Sequence, residues 1–243
     1  RFRTLMFLRV TRMTRGSSCA LVQLNSPCPR CSIPSSSACV ADSSAIGAVS
    51  TVISGPPYPD LVEGVELVQL PSLDLYSRDL WSVTREELGD RLGRKEWFSK
   101  LSGGFAEPET FGERVRDWLL DHADAFDVVH DNQTLADGIL DLQRAGLPVV
   151  TTIHHPITRD LTVALAGEPR WWWRLMIRRW HRFLGMQSRV AGRLRHIVTV
   201  SRCSAADIAT DFGVLPGALR VVPNGCLLYT SPSPRDKRQS RMP

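Results

Sequence analysis

The chain has 243 residues, 43% of them hydrophobic and 23% charged, with a formal net charge of +5. That length holds one large domain or two small ones, and that composition excludes a disordered or fibrous chain. No run of about 18 uninterrupted apolar residues occurs, so no membrane-spanning helix is expected, and the small positive excess permits an anionic partner without demanding one.

Residues 1–48 differ in character from the remainder of the chain. They hold one acidic residue, Asp42, no lysine, and an excess of Ser, Arg, Cys and Pro. No apolar period of 2 or 3.6 persists there, and Leu5-Met6-Phe7-Leu8 is too short for the apolar region of a signal peptide. A disordered tail, a targeting segment and a misread reading frame are the three readings. The misread frame fits best, because a glycine-rich first βα unit is what the rest of the chain lacks. Cys19, Cys28, Cys31 and Cys39 lie in this stretch. Cys28-Pro29-Arg30-Cys31 has CxxC spacing, but no second CxxC or His pair succeeds it, and Pro27, Pro29 and Pro34 break the strand and helix a redox motif needs. No metal site is expected.

Order is expected from Val49. Val49–Ser54 reads as a strand, and Gly55-Pro56-Pro57 ends it. Val65–Leu70 alternates as a second strand. Thr84 to Gly93 reads as a short helix, with Glu87 at the capping-box spacing from Thr84. Ser102-Gly103-Gly104-Phe105 is a turn. Thr110 to Asp121 is an amphipathic helix that places Phe111, Val115, Trp118 and Leu119 on one face. A strand Asp127–His130 comes next, then a helix from about Thr134 to Ala145, stopped at Gly146, and a strand opened by Pro148.

Beyond Pro156 come two helical stretches. The second, Arg170 to Leu184, puts Arg170, Arg174, Arg178 and Arg182 in one stripe beside an apolar face of Trp172, Met176, Trp180 and Phe183. One reading is a surface helix with its apolar face buried; the other is an interfacial helix that meets anionic lipid head groups. Strand His196–Val200, N-cap Ser201, helix Ala205–Phe212, stop Gly213 and strand Val221-Val222 then run to Pro223-Asn224-Gly225. From Cys226 the chain is polar and is expected to be an unstructured, artefactual tail.

Short β-branched runs alternating with helices predict an α/β fold with a Rossmann-like parallel sheet, in which ligands sit beyond the carboxyl ends of the strands. The strand ends Asp127-Val128-Val129-His130 and Val150-Thr151-Thr152-Ile153-His154, the run Val198-Thr199-Val200-Ser201 before a helix, and the turn Val221-Val222-Pro223-Asn224-Gly225 give residues 49–225 a further character. They resemble the amino-terminal half of a family 4 glycosyltransferase of the GT-B class. Cys226-Leu227 stands where that family usually has Val-Asp after the Pro-Asn-Gly turn.

The resemblance implies two Rossmann-like domains facing a cleft, the first for the acceptor and the second for a nucleotide-diphosphate sugar. It implies transfer with retention and no metal or other cofactor. This chain then reads as a fragment, expected to be inactive without the second domain. The resemblance also puts His154 in the cleft near the transferring sugar, as the catalytic candidate, with His155 beside it; the alternative is that one of them only caps the strand. His130, Asp131, Asn132 and Gln133 are candidates for acceptor hydroxyls, against helix capping by Asp131 or Asn132. Ser201 is a candidate contact or a plain N-cap, and Pro223, Asn224 and Gly225 form the interdomain turn.

The expected function is sugar transfer to an acceptor that a lipid could carry, by a cytoplasmic protein peripheral at the inner face of the membrane. Arg170, Trp172, Arg174, Arg178, Trp180 and Arg182 would supply the membrane surface. Nucleic acid is not an expected partner. The competing function is a non-catalytic Rossmann-like module holding a nucleotide or a partner. A hydrolase and a dinucleotide oxidoreductase are disfavoured, since neither G-x-S-x-G nor a strand followed by G-x-G-x-x-G occurs.

Overall fold

The computed structural model describes residues 7–13, 48–61, 63–75 and 77–223. The four amino-terminal cysteines, Asn224, Gly225 and the tail from Cys226 lie outside the described residues. Seven strands form one sheet: β1 (Phe7–Met13), β2 (Ala48–Ser54), β3 (Glu66–Gln69), β4 (Val128–Asn132), β5 (Val149–Thr152), β6 (Ile197–Thr199) and β7 (Leu219–Val221). Their order is β3-β2-β1-β4-β5-β6-β7. Every pairing is parallel except those of β1, which runs antiparallel to both β2 and β4.

β1 corrects the expectation that order begins at Val49, because it lies inside the segment expected to stand apart from the sheet. Leu8 and Val10 are fully buried, and between them Arg9 is buried with its Nε donating to Ser50 Oγ at 2.9 Å. Two arginines in seven residues hide the apolar alternation, while neighbouring strands on both sides supply the ladder that local preference does not.

The helices are α1 (Arg91–Leu101), α2 (Glu107–Asp121), α3 (Asp137–Arg144), α4 (Thr158–Gly167), α5 (Trp171–Trp180), α6 (Leu184–Ala191) and α7 (Arg202–Phe212). The Thr84–Glu87 capping box forms, with the Thr84 N–H donating to Glu87 Oε2 at 2.8 Å. It opens only a single 3-10 turn, Glu87–Gly89, rather than the helix expected over 84–93. Asp90 is extended and restarts the chain as the cap of α1, accepting from the Gly93 N–H. α1 and α2 are joined by Glu96, whose buried carboxylate accepts from Leu73 N–H, Thr110 Oγ1 and the Arg114 guanidinium.

α2 obeys its periodicity. Phe111, Val115 and Leu119 are buried in the core, each stabilising by about 1.5–3 kcal/mol, and Trp118 packs against it part-buried. α3 comes so close to α2 that a Cβ on Gly112 would collide with the Cβ of Ala136, and one on Gly138 would collide with the Gly112 carbonyl. This contact fixes the start of α3, and with it the turn that leaves β4. Strands β4 to β6 supply Val129, Val149 and Ile197 to the same core.

Candidate active site at the carboxyl ends of the strands

β4, β5 and β6 are parallel neighbours, so their last residues arrive at one edge of the sheet. Asn132 sits opposite Thr152 in the register. Just beyond the end of β5, His154 Nε2 lies 2.9 Å from Asn132 Oδ1. Gln133, at the end of β4, holds the chain on both sides of that ring. Its Oε1 accepts from the His154 N–H and its Nε2 donates to the His155 carbonyl, both at 2.8 Å. The expected group of strand-end residues is therefore assembled, but its members do different work.

Asp131 is fully buried, and its carboxylate accepts from the N–H groups of Thr134 and Leu135. It shapes the turn, which is the capping alternative, and presents nothing to a ligand. Burial pushes its pKa up to about 6 against those hydrogen bonds. The turn it closes is unusual: Gln133 and Leu135 have φ of +60° and +52°. These left-handed conformations, rare outside glycine, delay α3 to Asp137 where the sequence predicts a helix from about Thr134. Gln187 of α6 completes the arrangement by donating to the Thr134 carbonyl at 3.2 Å. Sequence reading missed Gln187, although a polar residue between Met186 and Val190 on a buried face was a usable signal.

His130 Nε2 is 2.8 Å from Thr152 Oγ1. Burial, with the charge of Arg9 and the ring of His154 behind it, pushes the His130 imidazole down to about 4. His154 is also lowered, by burial and then by His155. Both shifts favour neutral imidazole over the cation at this site. His155 is exposed and lies 3.6 Å from Asp160. Ser201 comes after β6 and caps α7, its Oγ accepting from the Ser204 N–H at 3.0 Å. Pro223 is exposed at the end of the described chain. No group of three His, Cys, Asp or Glu among the described residues is placed to hold a metal.

The sequence that builds this sheet matches known proteins. Residues 72–226 match the model of Glycosyltransferase Family 4. This chain belongs to that family. It is also 45% identical over 177 residues to an MMP α-(1→4)-mannosyltransferase of Mycolicibacterium hassiacum. The alignment takes in 72% of this chain and 43% of the relative, so the chain spans less than half the length of that protein. The family match takes in the whole strand-end cluster, from Asn132 and Gln133 through His154 to Ser201.

The four arginines of the expected stripe differ in their partners. Arg170 pairs with Glu168 at 2.8 Å, Arg174 reaches the Glu168 carbonyl, Arg178 is exposed, and Arg182 lines a cleft beside α1. Neither α4 nor α5 contains a buried residue. Trp171 is 72% exposed and Trp172 50%, with Trp173, Leu175 and Met176 also exposed. The far end of α5 is packed: Trp180 stacks on Phe105 at 4.8 Å, and Arg179 donates to Ser102 Oγ at 2.6 Å. The base of α4 is tied by Arg159 to Asp207 and Asp211 of α7. No helix among the described residues is long and apolar enough to cross a membrane.

Proposed function

We propose that this chain is the acceptor-side half of a retaining hexosyltransferase, with a nucleotide-diphosphate sugar as donor and mannose as the transferred sugar. The observation that carries the reading is His154 at the carboxyl end of β5, its ring against Asn132 and its backbone held by Gln133. In an open α/β sheet this is where ligands sit. The relative's activity, α-(1→4)-mannosyl transfer, supports the choice of sugar and linkage.

In the proposed reaction an acceptor hydroxyl replaces the nucleotide diphosphate at the anomeric carbon, and its proton leaves with the departing diphosphate. The bond to the diphosphate breaks as the new glycosidic bond forms. His154 and Asn132 hold sugar hydroxyls at the reacting centre, which needs donors and acceptors together. His130 and Asp131 keep the strand ends in place beneath them.

We further propose that the protein works at the inner face of the membrane on an acceptor that a lipid carries. The exposed Trp171, Trp172 and Trp173, with Arg178 on the same helix, support this part. Indole and guanidinium together suit the boundary between acyl chains and phosphates.

Titration of the chain with an α-(1→4)-linked mannooligosaccharide, monitored by NMR, tests the acceptor-side assignment. Saturable shifts around residues 130–134 and 152–155, lost in His154→Ala, are expected. No saturable binding by the folded chain sinks the assignment.

A further inference from the structure

A cleft of about 860 Å³ lies apart from the strand ends, between the last turn of α1, the start of α2 and the segment from α5 to α6. Its volume falls within the range of small-ligand sites. Four cationic side chains line it, and two of them are neutralised within the protein. Lys95 pairs with Glu109 and Glu113, and Arg189 pairs with Asp137. Arg179 and Arg182 have no carboxylate partner among the described residues. Arg179 is nonetheless held in place. It donates to Ser102 Oγ, and a Cβ on Gly104 would lie 2.5 Å from its Nη1, so the glycine is what lets the guanidinium lie on the turn. The hydroxyl of Ser99 and the rings of Phe98 and Phe105 complete the wall, and Phe98 is 60% exposed.

We propose that this cleft binds an oxyanion, a phosphate or carboxylate, carried on a body with an apolar face. The two unneutralised guanidinium groups of the lining would pair with the anion, because fork-shaped donors match its oxygens. The Phe98 and Phe105 rings of the same lining would cover the apolar body. A phosphorylated lipid and a soluble sugar phosphate share this chemistry. The proposal stands apart from the sugar-transfer reading, since it needs neither His154 nor a donor.

Titration calorimetry of the full chain tests it with two probes: dihexanoylphosphatidate below its micelle concentration, and mannose 6-phosphate. Mannose and dihexanoylphosphatidylcholine serve as counterparts without net charge. The expected result is saturable binding of at least one phosphate probe, ten times or more tighter than its counterpart. Whichever probe binds tighter identifies the source of the anion. Arg182→Gln, on a side chain with no hydrogen bond among the described residues, should weaken binding by about tenfold, and R179Q/R182Q should abolish it. Arg195→Gln, which removes the same charge from an exposed site elsewhere, should leave it unchanged. The proposal is overturned if neither phosphate probe saturates, if the counterparts bind equally well, or if Arg182→Gln binds as the unaltered chain does.

Discussion

Gln133 grips the backbone on both sides of His154: one end of its amide accepts from the His154 N–H and the other donates to the His155 carbonyl, each at 2.8 Å. The loop after β5 is thus set by a side chain from the end of β4. Gln133 adopts φ of +60° to do so. Removing the amide in Gln133→Ala should cost about 1–3 kcal/mol, from two hydrogen bonds that hold the loop and a strained conformation that alanine does not relieve. Gln133→Gly loses the same bonds but tolerates positive φ, so it should be less destabilised than the alanine variant despite its larger unfolded-state entropy. Urea unfolding of the two variants decides the order.

Ionisation of Asp131 gives a second prediction. Its folded pKa is raised to about 6 from an ordinary 3.8 by burial. The stability it contributes is therefore fully present below about pH 4 and is lost as the pH rises through about 6. Asp131→Asn keeps an oxygen acceptor for the Thr134 and Leu135 N–H groups without that ionisation. Relative to the unaltered chain, the variant should gain about 3 kcal/mol between pH 4 and pH 7. His130 behaves in the opposite sense. Its lowered pKa of about 4 means stability present above 6.5 and lost as the pH falls through 4, so His130→Gln should gain on the unaltered chain as the pH falls. Unfolding midpoints at a series of pH values check both signs.

The exposed half of α5 gives a third. Trp172 is 50% exposed, whereas Trp180 stacks on Phe105 and carries Lys100 over its ring. Trp172→Ala should change stability by no more than about 0.5 kcal/mol, while Trp180→Ala should cost about 1–3 kcal/mol. If the helix meets a membrane, the chain should float with anionic vesicles and release as salt rises, and replacing Trp171 and Trp172 by serine should abolish flotation. Equal failure of the unaltered chain on anionic and neutral vesicles ends the membrane part of the proposal.

The elements legible in the sequence are those whose residues satisfy themselves locally. β4, β5 and β6 are β-branched runs buried by helices, and α2 carries its period in Phe111, Val115 and Leu119. α7 is announced by Ser201 and ended by Gly213, which has φ of +64°. β1 is not legible, because Arg9 and Arg12 interrupt its alternation and its order comes from partners distant in sequence. Nor is the division of labour at the strand ends. Four polar residues in a row give no sign that Asp131 points into the core while Asn132 and Gln133 reach across to β5. Only the register between strands, with Asn132 opposite Thr152, separates those roles. The buried apolar face expected on α5 is not there either, since Trp172 and Met176 of that face are exposed and the helix has no buried residue.

Sugar transfer is the decisive readout for His154. Residues 1–223, which include the central strand β1, would replace the matching half of the Mycolicibacterium hassiacum mannosyltransferase, and the hybrid would be assayed with a nucleotide-diphosphate mannose and an α-(1→4)-linked mannooligosaccharide. The hybrid should transfer sugar, and His154→Ala should lower its kcat by about a hundredfold or more, the size expected when one hydrogen-bonding group at a reacting centre is removed. A folded His154→Ala hybrid that transfers sugar at the unaltered rate would contradict the assignment of His154 to the reacting centre.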